Sequence, residues 1–161
     1  MLSDAFVNAF VMSAQNDDVV VSQNGEKINP DLIEKNITLY NLQRFCILGL
    51  NIDGTNKLSF VGEIKKGLSY LQIQKIIKEL EQCILDLKSQ NYNIEKVFLT
   101  SDKIAADTAI KVSRSILIRK INNKEVNLIP FIDFKENNIV SDEKINEQLV
   151  EEVKLIFKEV L

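Results

Sequence analysis

The chain has 161 residues, of which 45% are hydrophobic and 27% charged, and its formal net charge is −3. This length and balance are typical of one compact domain, so we predict a single domain over residues 1–161. No apolar run reaches the ~18–20 residues of a membrane-spanning helix, and the first residues lack the basic segment of a secretory signal. We therefore expect a cytoplasmic protein without a membrane partner.

The sequence contains no histidine, which narrows the chemistry open to it. Ser-His and Cys-His nucleophiles and histidine-bound zinc are excluded. The two cysteines, Cys46 and Cys83, lie in apolar periodic segments, which predicts buried free thiols. No glycine-rich phosphate-binding motif is present. Catalysis would have to use carboxylates, lysines, hydroxyls or a cation bound through oxygen.

Hydrophobic spacing and turn residues predict the elements of the first part of the chain. In chain order these are a helix over 2–14, a short hairpin over 17–28, a brief helix over 30–35, and strands over 38–52 and 56–65. Asn24-Gly25 is a turn dipeptide in the short hairpin, and Pro30 suits the first turn of a helix. Asp53-Gly54 separates the two long strands, which we expect to pair antiparallel.

The second part of the chain predicts more helices and strands. In order these are a long helix over 69–90, a strand over 96–101, a short helix over 102–114, strands over 115–121 and 125–134, and a last helix over 143–161 that Ser141 caps. An apolar stripe from Ile73 to Leu87 marks the long helix, with Lys and Glu opposite. The fold class is α/β, with a mixed central sheet, an antiparallel hairpin and flanking helices.

A two-residue turn at Asp53-Gly54 determines the register of the long hairpin. Ile52 then pairs with Thr55, and Glu63 lies opposite Arg44. Because side chains alternate along a strand, Glu63 and Lys65 are predicted to point to the same side.

Glu63-Ile64-Lys65 closes the second strand of this hairpin, and a long helix, a strand, a helix and another strand follow. This order and the E-x-K motif resemble the core of the PD-(D/E)xK nuclease superfamily, which includes restriction endonucleases and archaeal Holliday-junction resolvases. Gln72 and Gln74, early in the long helix, are similar to a glutamine of some branches. The resemblance covers about half of the chain and implies a restriction-endonuclease-like fold and a metal-dependent nuclease.

By this resemblance, Glu63 would bind Mg²⁺ or Mn²⁺, and Lys65 would orient the attacking water and stabilise charge on the phosphate. The family places an Asp across the hairpin from the Glu, where this chain has Arg44. Asp53 precedes Glu63 in sequence but lies at the turn, about 26 Å along the strand. Asp31 or Glu34 is therefore the expected second carboxylate. The alternative is an ordinary ion pair between Glu63 and Arg44 without catalysis.

The segment from 111 to 124 carries five cations and no acid, which favours contact with the phosphates of a nucleic acid. The five residues are Lys111, Arg114, Arg119, Lys120 and Lys124. The same charges also suit an exposed strand edge that resists aggregation.

Three functions stay open from the sequence. The chain is a metal-dependent nuclease, a nuclease-fold domain that binds nucleic acid without cutting it, or a non-enzymatic adaptor, chaperone or assembly subunit. The last of these would act through its sheet edge or its C-terminal helix, in a homodimer or a hetero-complex. Val153 and Ile156 lie on the apolar face of that helix.

Overall fold

The computed structural model describes residues 19–21, 25–138 and 150–156. Its elements, in order, are β1 (Val20–Val21), β2 (Lys27–Ile28), α1 (Pro30–Glu34), β3 (Arg44–Ile52), β4 (Thr55–Glu63), α2 (Tyr70–Ser89), β5 (Lys96–Thr100), α3 (Arg114–Asn122), β6 (Ile129–Pro130) and α4 (Phe131–Asn137). Residues 150–156 are also helical. The predicted helix over 2–14, Asn24, Ser141 and most of the predicted last helix lie outside the described residues.

A four-stranded mixed sheet in the order β3-β4-β5-β6 forms the centre of the fold. β3 and β4 are antiparallel, β5 runs parallel to β4 after the crossover through α2, and β6 is antiparallel to β5. β1 and β2 make a separate antiparallel pair. The predicted α/β class, with a mixed sheet, an antiparallel hairpin and flanking helices, is confirmed.

The register of the long hairpin is also as predicted. Ile52 pairs with Thr55, and Arg44 pairs with Glu63 at the other end. Asp53 and Gly54 both have positive φ, at 54° and 79°, as a type I′ turn requires. Only a few residue types accept this conformation, so the turn fixes which residues of β3 and β4 face each other.

α2 covers one face of the sheet. Its first residue follows a capping box, in which the Ser69 hydroxyl accepts from the Gln72 amide and the Gln72 side chain accepts from the Ser69 amide. The apolar stripe of α2 packs on the odd-numbered side chains of β3 and the even-numbered ones of β4, including Ile47 and Phe60. Within the described ranges, no helix has the length and apolar character needed to cross a bilayer.

The opposite face of the sheet holds a second apolar cluster. Cys46, Leu48 and Val61 of the hairpin pack there against Ile104 and against Leu117 of α3. Both cysteines are free, as expected: Cys46 is buried in this cluster, and Cys83 is half-buried on α2. Burial raises the pKa of the Cys46 thiol to about 12, so it stays protonated and acts as an apolar packing group.

Three predicted elements between 102 and 134 were wrong. Residues 102–113 form a loop and not a helix. The Ile104 amide and the Asp107 carbonyl make hydrogen bonds to side chains of the hairpin, and so are not used for backbone hydrogen bonds within a helix. The predicted strand over 115–121 lies in helix α3, whose buried face is provided by Arg114 and Leu117 at helical spacing. The predicted strand over 125–134 is reduced to β6, since Pro130 has no N–H to extend the ladder and α4 begins at the next residue.

Arg114 stabilises the outer edge of β3. Its side chain is almost fully buried, and its Nε donates to the Ile47 carbonyl at 2.6 Å. Its Nη2 lies 2.7 Å from Glu34 Oε1 and 3.0 Å from Asp31 Oδ1. Glu34 Oε1 in turn accepts from the Ile47 amide at 2.8 Å. The two side chains therefore satisfy both backbone groups of Ile47, as a neighbouring strand would.

This ion-pair cluster joins three separate parts of the chain. Asp31 and Glu34 come from α1, Arg114 from α3, and Ile47 from β3. Lys111, in the loop before α3, adds a contact of 2.7 Å to Asp31. The cluster thus determines how α3 sits against the sheet.

Replacing Arg114 by Met should lower the free energy of unfolding by ~3–5 kcal/mol, because Glu34 and the Ile47 carbonyl lose a buried charged partner. The exposed Arg119 on the same helix provides a matched control, whose Met variant should change stability by less than ~0.5 kcal/mol. Urea unfolding followed by circular dichroism measures both values. Similar stabilities of the two variants would contradict a structural role for the cluster.

Asp31 makes part of this stability dependent on pH. Lys111 and Arg114 hold the pKa of its carboxyl below the usual value, against the opposing effect of partial burial. The contribution is therefore fully present above pH ~4 and is lost as the pH falls through the lowered pKa. Asp31→Asn should give a flatter acid limb in a plot of unfolding free energy against pH. Asp133→Asn, an exposed site on α4, should keep the wild-type slope.

Candidate functional site

The carboxyl ends of β4 and β5 meet at one end of the sheet. The two strands are parallel neighbours, and Glu63 pairs with Thr100 at their last positions. The segments 64–69 and 101–113 leave the sheet from this end. In α/β sheets, ligands bind in the crevice outside the carboxyl ends of parallel strands, so this end is the candidate site.

Glu63 and Arg44, facing each other across β3 and β4, both bind the loop 101–113. Glu63 is half-buried, and its Oε1 accepts a hydrogen bond from the Ile104 amide at 2.9 Å. Arg44 Nη2 donates to the Asp107 carbonyl at 3.2 Å. The acid and the base therefore hold the backbone of the same loop against the sheet.

Asp102 extends this arrangement to the connection between α3 and β6. Its Oδ2 accepts from the Asn127 amide at 2.8 Å, and its own amide donates to the Thr100 hydroxyl at 3.0 Å. Asp102 is thus a second carboxylate at the end of the sheet that binds a backbone N–H. Its partner is 25 residues away in sequence, so this contact only emerges in the fold.

Lys65 lies in the exposed segment beyond the end of β4. Its side chain has no hydrogen bond or ion pair to any residue in the described part of the chain. The structure therefore brings Lys65 and Glu63 to the same end of the sheet, while only Glu63 is held in place by a contact.

The four acids that the sequence offered as candidate metal ligands, Asp53 only if the turn assignment were wrong, lie in three different places. Asp31 and Glu34 are together, but at the Ile47 edge of β3, about 10 Å along the strand from the position that faces Glu63. Asp53 is at the tip of the hairpin, roughly 26 Å from Glu63. Within residues 19–21, 25–138 and 150–156, no three acids or cysteines are grouped so as to hold a metal ion.

A Mg²⁺ ion takes its oxygen ligands at ~2.1 Å, so carboxylates that share one must lie within a few ångströms of each other. These four residues therefore do not fit a shared dication centre. Binding of a dication at Glu63 stays a prediction, and Asp31, Glu34 and Asp53 supply no further ligand for it.

The five cations of the basic segment divide into two groups. Lys111 and Arg114 contact Asp31 in the cluster at the edge of β3. Arg119, Lys120 and Lys124, which we call the α3 basic face, lie in the last turn of α3 and just after it. Their side chains bind no acid among the described residues. Positive charge there complements the helix dipole and leaves the α3 basic face available to an anionic partner.

The burial of Arg114 was the main feature that sequence reasoning missed. A signal existed, because Asp31 and Glu34 are three residues apart on one helix and can converge on a single cation. No local feature of the sequence indicated which of the five cations the two acids would bind.

Neither a protein-family model nor a curated protein matches this sequence.

The contact from Glu63 to Ile104 leads to a stability test. Glu63→Ala should lower the free energy of unfolding by ~1–3 kcal/mol, because it leaves the buried Ile104 amide without an acceptor. Glu63→Gln keeps an acceptor oxygen and should retain most of this stability. Lys65→Ala is the matched control and should lie within ~0.5 kcal/mol of wild type.

Urea unfolding gives the three stabilities, and hydrogen exchange of the Ile104 amide reports the contact directly. A Glu63→Ala protein as stable as the Lys65→Ala control, with Ile104 still protected, would show that Glu63 does not anchor the loop.

Proposed function

We propose that this protein is a nucleic-acid-binding domain that does not cleave its ligand. The sheet would be of the restriction-endonuclease-like type, with the α3 basic face as its contact to the phosphate backbone. The order of hairpin, crossover helix and parallel strand supports this kinship, since β3, β4, α2 and β5 follow one another as in the resemblance seen in the sequence.

The observation that carries the proposal is the different use of the acids at the end of the sheet and of the cations of the α3 basic face. Glu63 and Asp102 accept backbone N–H groups at 2.9 and 2.8 Å, and so serve to order the loops. The cations of the α3 basic face have no such partner in the described part of the chain. Acids that serve as structural acceptors, together with cations that bind no acid in the described residues, favour binding of a phosphate chain over its hydrolysis.

The distribution of charge fits local contact with a nucleic acid. Although the net charge of the chain is −3, no acid lies between residues 108 and 124. α3 presents its nine residues over about 13 Å, with polar Ser115 and Asn122 beside Arg119 on the exposed side. Hydroxyl and amide groups next to cations are the usual donors to phosphate oxygens.

A second candidate function is that of an adaptor that binds another protein chain. Residues 150–156 are helical and expose four apolar side chains, namely Val150, Val153, Leu155 and Ile156. Such a surface suits packing against a second copy or another protein. Light scattering tests it: a stable dimer at micromolar concentration that Val153→Glu dissociates would support this function.

Nucleic-acid binding is tested with fluorescently labelled single- and double-stranded DNA and RNA, by anisotropy at several salt concentrations. A triple substitution of Arg119, Lys120 and Lys124 by Ala should weaken binding and reduce the slope of log K against log salt by about 2–3. A matched triple substitution of Lys75, Lys78 and Lys88, exposed on α2, removes the same charge and should leave the slope unchanged.

Cleavage is measured in parallel with Mg²⁺ or Mn²⁺ and with a chelator. We expect intact nucleic acid under every condition. Metal-dependent cleavage that is lost in both Glu63→Gln and Lys65→Ala would overturn the proposal in favour of a nuclease. Equal loss of binding in the two triple variants would show that the α3 basic face is not the interface.

A further inference from the structure

A cavity of about 280 Å³ lies beside the outer edge of β3, where Arg44 begins the strand. We call it the β3-edge cavity. Its main lining residues are Leu39, Leu42, Arg44, Phe45, Ile110 and Lys111. They come from the segment before β3, from β3 itself and from the loop before α3, so the cavity exists only in the folded chain.

The polar part of the β3-edge cavity is predominantly cationic. Arg44 and Lys111 both line it, and the Gln43 side chain adds an amide. Glu34 is the one acid of the lining, and its carboxylate is neutralised by Arg114 at 2.7 Å and bound to the Ile47 amide. Lys111 also contacts Asp31 at 2.7 Å, whereas Arg44 donates a hydrogen bond to the backbone carbonyl of Asp107, whose carboxylate lies near enough to feel its charge.

The apolar part of the cavity includes one aromatic ring and one unusual isoleucine. Phe45 stacks on Phe60, with ring centroids 5.6 Å apart and planes inclined by 8°. Ile110 is fully exposed although it lies beside the buried Val112. An isoleucine at the rim of a cavity, without any contact that the core requires, is suited to cover an apolar ligand group.

We propose that the β3-edge cavity binds one nucleotide of a single-stranded nucleic acid. Arg44 and Lys111 would hold its phosphate, and Phe45, Leu42 and Ile110 would contact the base. The volume is near the ~300 Å³ lower limit of small-molecule sites, which suits a single nucleotide. Stacking on an aromatic side chain beside cations is how proteins bind unpaired bases.

The position of the cavity relative to α3 supports this assignment. Ile110, Lys111 and Val112 of the loop line the cavity, and the chain enters α3 at Arg114, two residues after Val112. The α3 basic face begins at Arg119, five residues or about 1.4 turns further along the helix. A strand with one nucleotide in the cavity could therefore continue along α3, so the inference rests on the proposed function and names its ligand as single-stranded.

The test uses adenosine 5′-monophosphate and inorganic phosphate as separate probes of the full chain, followed by ¹H–¹⁵N NMR titration. The nucleotide should shift the amides of residues 42–45 and 110–112 and bind at least about tenfold more tightly than phosphate, through its base contacts. Arg44→Gln should weaken both probes. Ile110→Ser should weaken the nucleotide about threefold to tenfold and leave phosphate unchanged.

Ile110→Ser removes no contact of the core, so its effect does not depend on stability. Ile132→Ser, at another exposed isoleucine, is its matched control and should bind both probes like wild type. Equal affinity for nucleotide and phosphate, or no effect of Ile110→Ser, would overturn the inference that the cavity binds the base. If the protein binds DNA through the α3 basic face but does not bind the nucleotide, this inference alone is overturned. If it binds neither DNA nor the nucleotide, the proposed function is overturned as well.

Discussion

The fold depends on the side chains that bind the backbone amide and carbonyl of Ile47 at the edge of the sheet. β3 is an edge strand, and an edge strand leaves backbone groups that must find partners. Here a carboxylate from α1 and a guanidinium from α3 take the amide and the carbonyl of one residue. A buried ion pair alone contributes little net stability, because desolvation offsets the attraction. In this structure the placement of α1 and α3 satisfies the charges and the backbone groups of Ile47 together.

The same interaction determines which charges are left for function. Because Arg114 is directed inward to Glu34, the next cations along α3, beginning with Arg119, lie on the exposed side or after the helix. The loop before α3 is tied at its other end by Glu63 and Arg44. The loop and the cavity at the start of β3 are therefore held together by the ion-pair cluster and the hairpin.

Glu63 of the E-x-K motif has a structural role that the motif by itself does not indicate. Glu63 occupies the end of the hairpin strand that the resemblance implies, but its carboxylate accepts a backbone N–H and faces Arg44. A carboxylate that must coordinate a dication needs companions within a few ångströms, whereas an acceptor for an amide needs none. The local sequence is compatible with both uses, so the neighbours decide between them.

The sequence by itself determined the elements whose signals are local. The Asp53-Gly54 turn set the hairpin register, the apolar stripe from Ile73 to Leu87 predicted α2, and the segment 96–101 was predicted as the strand that became β5. Each of these depends on residues a few positions apart, which a linear reading can detect.

Only the tertiary structure decided the rest. The β-branched residues of 115–121 form a helix because Arg114 and Leu117 must both reach the sheet, and the loop 102–113 is shaped by Glu63 and Arg44, about forty to sixty residues away. The roles of Asp31, Glu34 and Arg114 were undecided for the same reason. Long-range hydrogen bonds and burial outweigh the few tenths of a kcal/mol per residue that separate local preferences, so no pattern within the segment could reveal them.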